Sequence, residues 1–340
     1  MTRFLSNIGM VFYEYANVLI FSINKKVENK ALKLVLLIGL SPYILIKGLI
    51  CLFYDYSVGR IIQRLRINRD NEREFKYELG FVAIAKNEGE YIREWIAYHD
   101  LICDGKAKFY VYDNDSEDNL AETISDYISR GIVQYIYYPG KSKQCDAYED
   151  AIRNYRQECR YMAVIDIDEF IETFPDNKNA IEIISSIFNK NPNAVGVGIN
   201  WMLFGSSGVV KKADGLVMER FLNRAEDDFW GNEHIKSVIN PRFVKKFISC
   251  HYPLYKLGSY SIGADGKRQR GWEVSPPQIS EIRLNHYFTK SREEYVIKHN
   301  RGWADKDGHY DGFERFEKYD RNEVHDESML KYASIIKERI

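Results

Sequence analysis

Residues 161–170 read YMAVIDIDEF, and this stretch decides how the chain folds. The apolar run 161–165 has the length and composition of a buried β-strand, and it delivers Asp166 and Asp168 at its end. Hard carboxylate oxygens at this spacing suit Mg²⁺ or Mn²⁺ better than zinc. An Asp-x-Asp pair alone is a weak signal, so its meaning depends on the segments around it.

Strand-like and helix-like segments alternate before that stretch. Strands are predicted at 79–85, 108–112 and 132–138, and helices after Asn87, at 120–129 and at 144–159. Asn87 is expected to cap the first helix, whose apolar face buries Trp95. Strands alternating with helices predict an α/β fold, with a mostly parallel sheet flanked by helices and right-handed crossovers.

Polar residues follow each predicted strand, and ligands bind beyond the carboxyl ends of strands in such sheets. We therefore expect these residues to meet on one rim: Lys86, Asn87 and Glu88 after the first strand, Asp113 after the second, and Asp166, Asp168 and Glu169 after the fourth. Neither a G-x-G-x-x-G turn nor a P-loop is present in the sequence. A nucleotide bound here would therefore need a metal ion to neutralise its phosphates.

Residues 1–76 differ in composition from the rest and predict a membrane-associating segment. Apolar stretches occupy 8–23 and 31–53, and the second is about long enough to span a bilayer, although Lys33, Pro42 and Lys47 interrupt it. A re-entrant or interfacial helix pair fits as well as a span, and a buried hairpin packed on the main domain is the less favoured alternative. Five arginines follow, which indicates anionic headgroups and the cytoplasmic face of the membrane: Arg60, Arg64, Arg66, Arg69 and Arg73.

Composition excludes some classes of protein. The formal net charge of −1 gives no basic field for nucleic acid. The 5 cysteines are scattered and never spaced C-x-x-C, so neither a disulfide framework nor a zinc site is expected. We divide the chain into the segment 1–76, a catalytic domain 77–290 and a helical, highly charged extension 291–340.

Motifs between residues 81 and 302 resemble bacterial family-2-like glycosyltransferases and are close in pattern to the family-92 type. In order they are KNEGEYIREWIAYH, FYVYDNDSEDNL, IDIDEFIE, WMLFGSSG, MERF, IKSVINPRFV and LNHYFTKSREEYVIKHNRG. The resemblance implies a GT-A-type domain that moves a sugar from a nucleotide-sugar donor, with a UDP-sugar favoured, to a glycan or lipid-linked acceptor. It also implies inversion, and together with the apolar segment it implies surface polysaccharide biosynthesis.

The same resemblance implies roles for residues on the rim. Asp113 matches the carboxylate that binds the nucleotide base, and the loop of Lys86, Asn87 and Glu88 forms part of the donor pocket. Asp168 and Asp166 match the metal motif, with Asp166 nearer the ribose. His286 resembles the late histidine that completes the Mn²⁺ or Mg²⁺ site, although a buried, hydrogen-bonded histidine is an equal alternative.

Other assignments rest on chemistry and stay open. An inverting enzyme needs a carboxylate to take the proton of the acceptor hydroxyl. Four acids between the metal motif and the late histidine are the candidates, and the third is preferred: Glu219, Asp227, Asp228 and Glu233. Gln144 is expected to touch the donor, Lys236 and Arg242 the diphosphate, and Trp201 and Trp230 the acceptor by stacking.

Two other functions compete with sugar transfer. A nucleotidyltransferase also uses an acidic metal pair on an α/β sheet, but the Gly-rich basic loop expected near its first strand is not visible in the sequence. A non-catalytic, membrane-associated glycan-binding protein would have no need for the intact pair of Asp166 and Asp168.

Overall fold

The computed structural model describes residues 29–175, 178–300 and 313–340. The described helices are α1 (Lys30–Tyr56), α2 (Val58–Asn71), α3 (Gly89–Ile102), α4 (Leu120–Thr123), α5 (Ser125–Ser129), α6 (Gln144–Tyr155), α7 (Ala180–Lys190), α8 (Val217–Arg220), α9 (Arg292–Asn300), α10 (Glu314–Tyr319) and α11 (Leu330–Arg339). The first strands are β1 (Tyr77–Ala85), β2 (Ala107–Asp113), β3 (Val133–Tyr137), β4 (Cys159–Val164), β5 (Glu169–Thr173), β6 (Ala194–Leu203) and β7 (Asn223–Arg224). The others are β8 (Ile235–Ile239), β9 (Val244–Phe247), β10 (Pro253–Tyr255), β11 (Tyr260–Gly263), β12 (Arg268–Gln269), β13 (Ile282–His286) and β14 (Val324–His325).

A 10-stranded sheet forms the centre of the described structure, in the order β12-β11-β6-β8-β4-β1-β2-β3, with β13 beside β6 and β5 beside β13. The strands β4, β1, β2 and β3 are parallel, whereas β8 runs antiparallel between β4 and β6. The predicted fold class, a mostly parallel sheet flanked by helices with an N-terminal apolar helix, is confirmed.

Strand β1 shows why the sheet is covered on both faces. Alternate residues point to opposite sides, so Phe81 joins one buried cluster and Val82 the other. Helix α3 covers the first face with Trp95, as predicted, and its Nε1 donates to the carbonyl of Glu169 at 3.0 Å. Helix α6 covers the second face with Tyr148. A continuous apolar run is typical of a strand buried on both sides.

Three local predictions differ from the structure. Asn87 does not cap α3; its φ is 51°, and its side-chain oxygen accepts a hydrogen bond from the backbone N–H of Glu117 at 2.7 Å. The helix predicted at 120–129 is split into α4 and α5. The helix predicted at 144–159 ends at Tyr155, because Cys159 already pairs with Tyr77 in the sheet.

The N-terminal helix α1 and the C-terminal region differ in how much of their surface is buried against the main domain. Helix α1 has 27 residues, is long and apolar enough to cross a membrane, and is almost entirely exposed. The predicted stretch 8–23 lies outside the described residues. The described part of 291–340 packs onto the main domain, with Tyr295 and Ile336 fully buried.

An ion pair joins α9 to α8. Glu294 accepts hydrogen bonds from both terminal nitrogens of Arg220, at 3.0 and 2.9 Å, and from Tyr91 and Ser291. Burial alone would raise the pKa of Glu294, but the hydrogen bonds from Arg220, Ser291 and Tyr91 lower it from 4.5 to about 2. This pair fixes α9, which carries Lys298 towards the sheet.

We expect Glu294→Gln to destabilise the protein by about 3 kcal/mol at neutral pH, because Arg220 would stay buried without its counter-charge. The folded-state pKa lies below the unfolded value, so the contribution is complete above the unfolded value of 4.5 and is lost as the pH falls towards 2. Urea unfolding at neutral pH and in this acid range measures it. The surface pair variant Glu281→Gln is the control, and an equal loss at every pH would contradict the prediction.

Candidate functional site

Two loops meet where β1 and β2 end. Strand pairing puts Ala85 beside Asp113, whose Oδ1 accepts from the backbone N–H of Ser116 at 2.9 Å and whose Oδ2 accepts from the Tyr135 hydroxyl at 2.5 Å. The backbone N–H of Asn87 donates to the Ser116 hydroxyl at 3.0 Å. The loop of Lys86, Asn87 and Glu88 is therefore tied to the turn after β2, as the rim prediction requires.

Asp166, directly after β4, is held from two directions. Its Oδ1 accepts from Gln144 Nε2 at 2.6 Å and from the Tyr148 hydroxyl at 3.2 Å, both on α6. Its Oδ2 accepts from Lys236 Nζ on β8 at 2.8 Å. The side chain of Asp166 is 31% exposed. Two residues predicted for the donor site, Gln144 and Lys236, thus converge on a carboxylate that solvent still reaches.

A fully buried carboxyl, Glu169, lies beneath Asp166. Its Oε2 accepts from the backbone N–H of Asp166 at 2.8 Å and lies 3.7 Å from Lys236 Nζ, and its Oε1 accepts from Trp201 Nε1 at 2.8 Å. Burial raises the pKa of Glu169 well above its usual range. Burial would lower the pKa of Lys236, but Asp166 and Glu169 raise it. Lys236 is therefore a buried cation at the base of the rim.

A second charged group surrounds Asp168. Its Oδ2 lies 3.4 Å from His286 Nε2 and forms an ion pair with Lys298 Nζ. Burial alone would raise the pKa of Asp168, but Lys298 and His286 hold it well below the usual range. Burial lowers the pKa of His286. Asp168 is thus an ionised carboxylate with a histidine on one side and an ammonium group on the other.

Aromatic rings line the wall beside these groups. Trp201 is only 8% exposed; its ring stacks on His234 at 5.1 Å and contacts His251 at 5.2 Å and His286 at 4.3 Å. The expectation that Trp201 offers an open face to a sugar is not met, because neighbouring rings cover it. Trp230, 42% exposed and 6.3 Å from His234, keeps an accessible face at the edge of this wall.

The three predicted metal ligands do not form one group. Asp168 and His286 lie side by side, whereas Asp166 is directed to Gln144 and Lys236. Among residues 29–175, 178–300 and 313–340, no three His, Cys, Asp or Glu side chains are arranged to hold a metal. Mg²⁺ commonly takes one or two protein ligands and completes its shell with substrate phosphates and water. The Asp168–His286 pair fits that kind of site, and the three-residue set does not.

The candidate bases lie in different surroundings. Glu219 accepts from Lys337 Nζ at 2.6 Å and from the N–H of Leu216 at 3.4 Å, which caps α8. Asp228 is exposed, as is Asp227, which pairs with Arg224 at 2.8 Å. Glu233 directly precedes His234, a ring of the aromatic wall, and its Oε1 accepts from the Ser275 hydroxyl at 2.6 Å. Of these acids, Glu233 is the one next in sequence to a residue of the wall.

Arg242 is not available to a diphosphate, contrary to expectation. Its guanidinium donates to Asp70 at 2.9 Å and to the carbonyls of Arg156, Cys159 and Arg160 at 2.6 to 2.7 Å. It therefore binds α2 to the edge of β4. The sequence pattern placed it near the site only because it follows β8 by three residues.

Two residues of the site are missed by sequence reasoning: His251 and Lys298. The strand pattern places Glu169 on the rim, directly after the Asp-x-Asp pair, but only the structure shows that it is fully buried. The His251 ring nitrogen Nδ1 lies 3.0 Å from the Ile235 carbonyl, and burial lowers its pKa to about 3. Lys298 reaches Asp168 from 130 residues away, and no local motif marks such a contact.

We expect Lys236→Met to destabilise the fold by about 3 kcal/mol, because the Asp166 carboxylate would lose the buried cation with which it pairs. Adding Asp166→Asn should recover part of that loss, since an amide needs no counter-charge. Urea unfolding of the two single variants and the double variant, with surface Lys190→Met as control, measures the coupling. Strictly additive effects would refute the buried pair.

Comparisons with known proteins identify the family to which the chain belongs. The family model described as Glycosyltransferase family 92 matches residues 84–331. A glycosyltransferase family 92 protein of Oryza sativa subsp. japonica is 30% identical over 128 residues, which are 37% of this chain and 21% of that protein. One of Arabidopsis thaliana is 25% identical over 198 residues, which are 55% of this chain and 33% of that protein. The matched region thus spans a third or less of these relatives.

Solved structures resemble the chain more distantly. S. aureus TarS 1-349 in complex with UDP has a TM-score of 0.34 and 11% identity, covering 49% of this chain and 47% of that one. The mannosyltransferase PcManGT from Pyrobaculum calidifontis, in complex with GDP-Man and Mn²⁺, has a TM-score of 0.27 and 14% identity, covering 42% and 43%. The family match extends over most of the chain, from the end of β1 to the start of α11, and the chain therefore belongs to glycosyltransferase family 92.

Proposed function

We propose that the protein is a glycosyltransferase that moves a sugar from a nucleotide-sugar donor to an acceptor hydroxyl. One observation carries the proposal: in a family 92 chain, the carboxylates Asp113, Asp166 and Asp168 and the cation Lys236 meet at the carboxyl edge of the sheet. That edge is where α/β sheets bind ligands. Family membership supports the reaction class, and the groups on the rim suit its chemistry.

The donor nucleotide would lie between the loops after β1 and β2. Asp113, oriented by Ser116 and Tyr135, is suited to accept hydrogen bonds from the base or ribose of a UDP-sugar. The loop of Lys86, Asn87 and Glu88 borders the same space. Asp166 stays partly exposed while Gln144 fixes its orientation, which suits a role at the ribose.

The diphosphate would lie beside Asp168. Asp168 and His286 are the protein groups that would hold Mn²⁺ or Mg²⁺, and when bound the ion would neutralise the charge of the departing diphosphate. Lys298 bonds to the same carboxylate, and Lys236 lies next to Asp166. Two ammonium groups near a leaving group that gains charge would stabilise it electrostatically.

The acceptor side would be the aromatic wall. Trp230 offers an exposed ring for a sugar face, and Glu233 is the carboxylate we assign as general base for an inverting reaction. Asp228, two residues before Trp230, is the alternative base. Glu219 is less suited, because its carboxylate is engaged by Lys337 and by the cap of α8.

We further propose that the enzyme acts at the cytoplasmic face of a membrane, on a glycan or lipid-linked acceptor for a surface polysaccharide. The exposed apolar helix α1 supports membrane attachment. The arginine-rich helix that follows it supports the cytoplasmic side.

Sugar-nucleotide hydrolysis is the first test. With a panel of donors and Mn²⁺, we expect nucleotide release from one donor, abolished by EDTA and reduced at least about 100-fold in Asp168→Ala, because charge neutralisation at the diphosphate would be lost. Asp126→Ala, which breaks a surface pair with Arg93, is the matched control. Release of pyrophosphate instead would favour a nucleotidyltransferase. No release, together with no Mn²⁺-dependent nucleotide binding, would favour a non-catalytic protein.

The identity of the general base can be tested once an acceptor is known. Glu233→Gln should lower kcat by about 10²–10⁴, because the acceptor hydroxyl would lose its proton acceptor, and should leave donor binding unchanged. Glu327→Gln, an exposed glutamate beside His325, is the control. A loss of that size in Asp228→Asn, with Glu233→Gln fully active, would move the base to the exposed loop.

A further inference from the structure

Helix α2 has one face committed to the catalytic domain. Its buried residues recur every three or four positions, at Gly59, Gln63, Ile67 and Asp70. Gln63 Nε2 donates to the carbonyl of Leu257 at 3.0 Å. This spacing describes a single helical stripe that packs against the protein.

The opposite face of α2 is apolar and exposed. Val58, Ile61 and Leu65 are 52%, 65% and 66% exposed. At about 100° per residue, their stripe lies roughly opposite the buried one. A helix in solution that buries one stripe normally turns polar residues outward. The outward stripe of α2 is therefore unexplained by the fold of the described residues.

Exposed arginines flank that apolar stripe. At about 100° per residue, Arg60 and Arg64 fall on one edge of α2, and Arg66 and Arg69 fall on the other side, between the stripe and the buried face. An apolar stripe bordered by cations is the pattern of a helix lying in a membrane interface, where the cations meet anionic headgroups. A contact with a second copy of this chain would bring these arginines close to their own counterparts. Charge therefore favours lipid over a second copy.

The first attachment to the domain lies where α1 ends and α2 begins. Asp55, fully buried at the end of α1, accepts from Arg268 at 2.7 Å, from Arg270 at 3.0 Å and from the backbone N–H of Gly258 at 2.8 Å. The backbone there is packed closely, since a Cβ on Gly258 would come within 2.2 Å of the Gly59 carbonyl oxygen.

The second attachment lies at the C-terminal end. Asp70, 7% exposed, accepts from Asn240 Nδ2 at 2.7 Å and from Arg242 Nε at 2.9 Å. Because α2 is bound at both ends by buried carboxylates, it cannot turn its apolar stripe inward without breaking both groups of ion pairs. Its orientation relative to the catalytic domain is fixed.

We propose that α2 lies in the plane of the membrane surface, with Val58, Ile61 and Leu65 inserted at the headgroup boundary of an anionic bilayer and its arginines against the headgroups. Helix α1, which precedes α2, also exposes apolar side chains, including Ile46 and Phe53, at 57% and 74% exposure. The catalytic domain, bound through Asp55 and Asp70, would then sit directly on the lipid. This inference does not depend on sugar transfer.

Photo-crosslinking tests the inference on the full chain. p-Benzoylphenylalanine is placed separately at Leu65, at Ile46 in α1 and at Val210, an exposed apolar residue of a catalytic-domain loop. The protein is reconstituted into vesicles of phosphatidylcholine and phosphatidylglycerol, in which both lipids are radiolabelled. We expect lipid label at Ile46 and Leu65 and at least a tenfold lower yield at Val210.

The outcomes separate the possibilities. Label at Ile46 but not at Leu65 would overturn the proposal while leaving the attachment by α1 intact. Crosslinking of Leu65 to a second protein chain would also overturn it and would point to self-association. A probe at Ile61 repeats the measurement should the Leu65 variant not fold, as judged by a trypsin-resistant catalytic domain.

Substitution of the arginines provides an independent test of the proposal. Replacing Arg64, Arg66 and Arg69 with glutamine should lower the Leu65 lipid yield several-fold in vesicles containing phosphatidylglycerol and leave it unchanged in pure phosphatidylcholine. An unchanged yield in both kinds of vesicle would refute the role of the anionic headgroups.

Discussion

The buried ammonium group of Lys236 is the constraint on which the site depends. It lies 2.8 Å from Asp166 and 3.7 Å from the fully buried Glu169. Without it, the Asp166 carboxylate and the fully buried Glu169 carboxyl would lie side by side with no cation between them, which is costly. The topology explains how it arrives there. Because β8 runs antiparallel between β4 and β6, its first residues lie at the edge where those two strands end.

Contacts between distant segments also bring together the charged residues around Asp168. Strand β13 is parallel to β6 and pairs His286 with Leu203, so this histidine comes to the carboxyl edge with the other residues of the rim. Lys298 comes from α9, which the Arg220–Glu294 pair fixes in place. The C-terminal region predicted as an extension is therefore part of the site. Asp166 and Asp168 are each paired with an ammonium group from a distant segment, Lys236 and Lys298 respectively.

The features that depend on local sequence pattern could be predicted from the sequence. The strands around YMAVIDIDEF, the convergence of Asp113, Asp166 and Asp168 on one edge, and the buried Trp95 follow from apolar periodicity and from parallel topology. Contacts between distant segments were not predictable in this way. Nothing near Lys298 marks its contact with Asp168, Trp201 gives no sign that histidines cover its ring, and Arg242 differs from a donor-site arginine only through its partner Asp70.

Residues 268–274 connect the N-terminal helices to the rim of the sheet. Arg270 holds Asp55 at the end of α1. Two residues later, the carbonyl of Trp272 accepts from the N–H of Ile235, the residue before Lys236, at 3.1 Å. The N–H of Val274 donates to the carbonyl of Glu233 at 2.7 Å. Residues 268–274 therefore contact the end of α1, the strand that carries the buried cation and the turn that carries the proposed base.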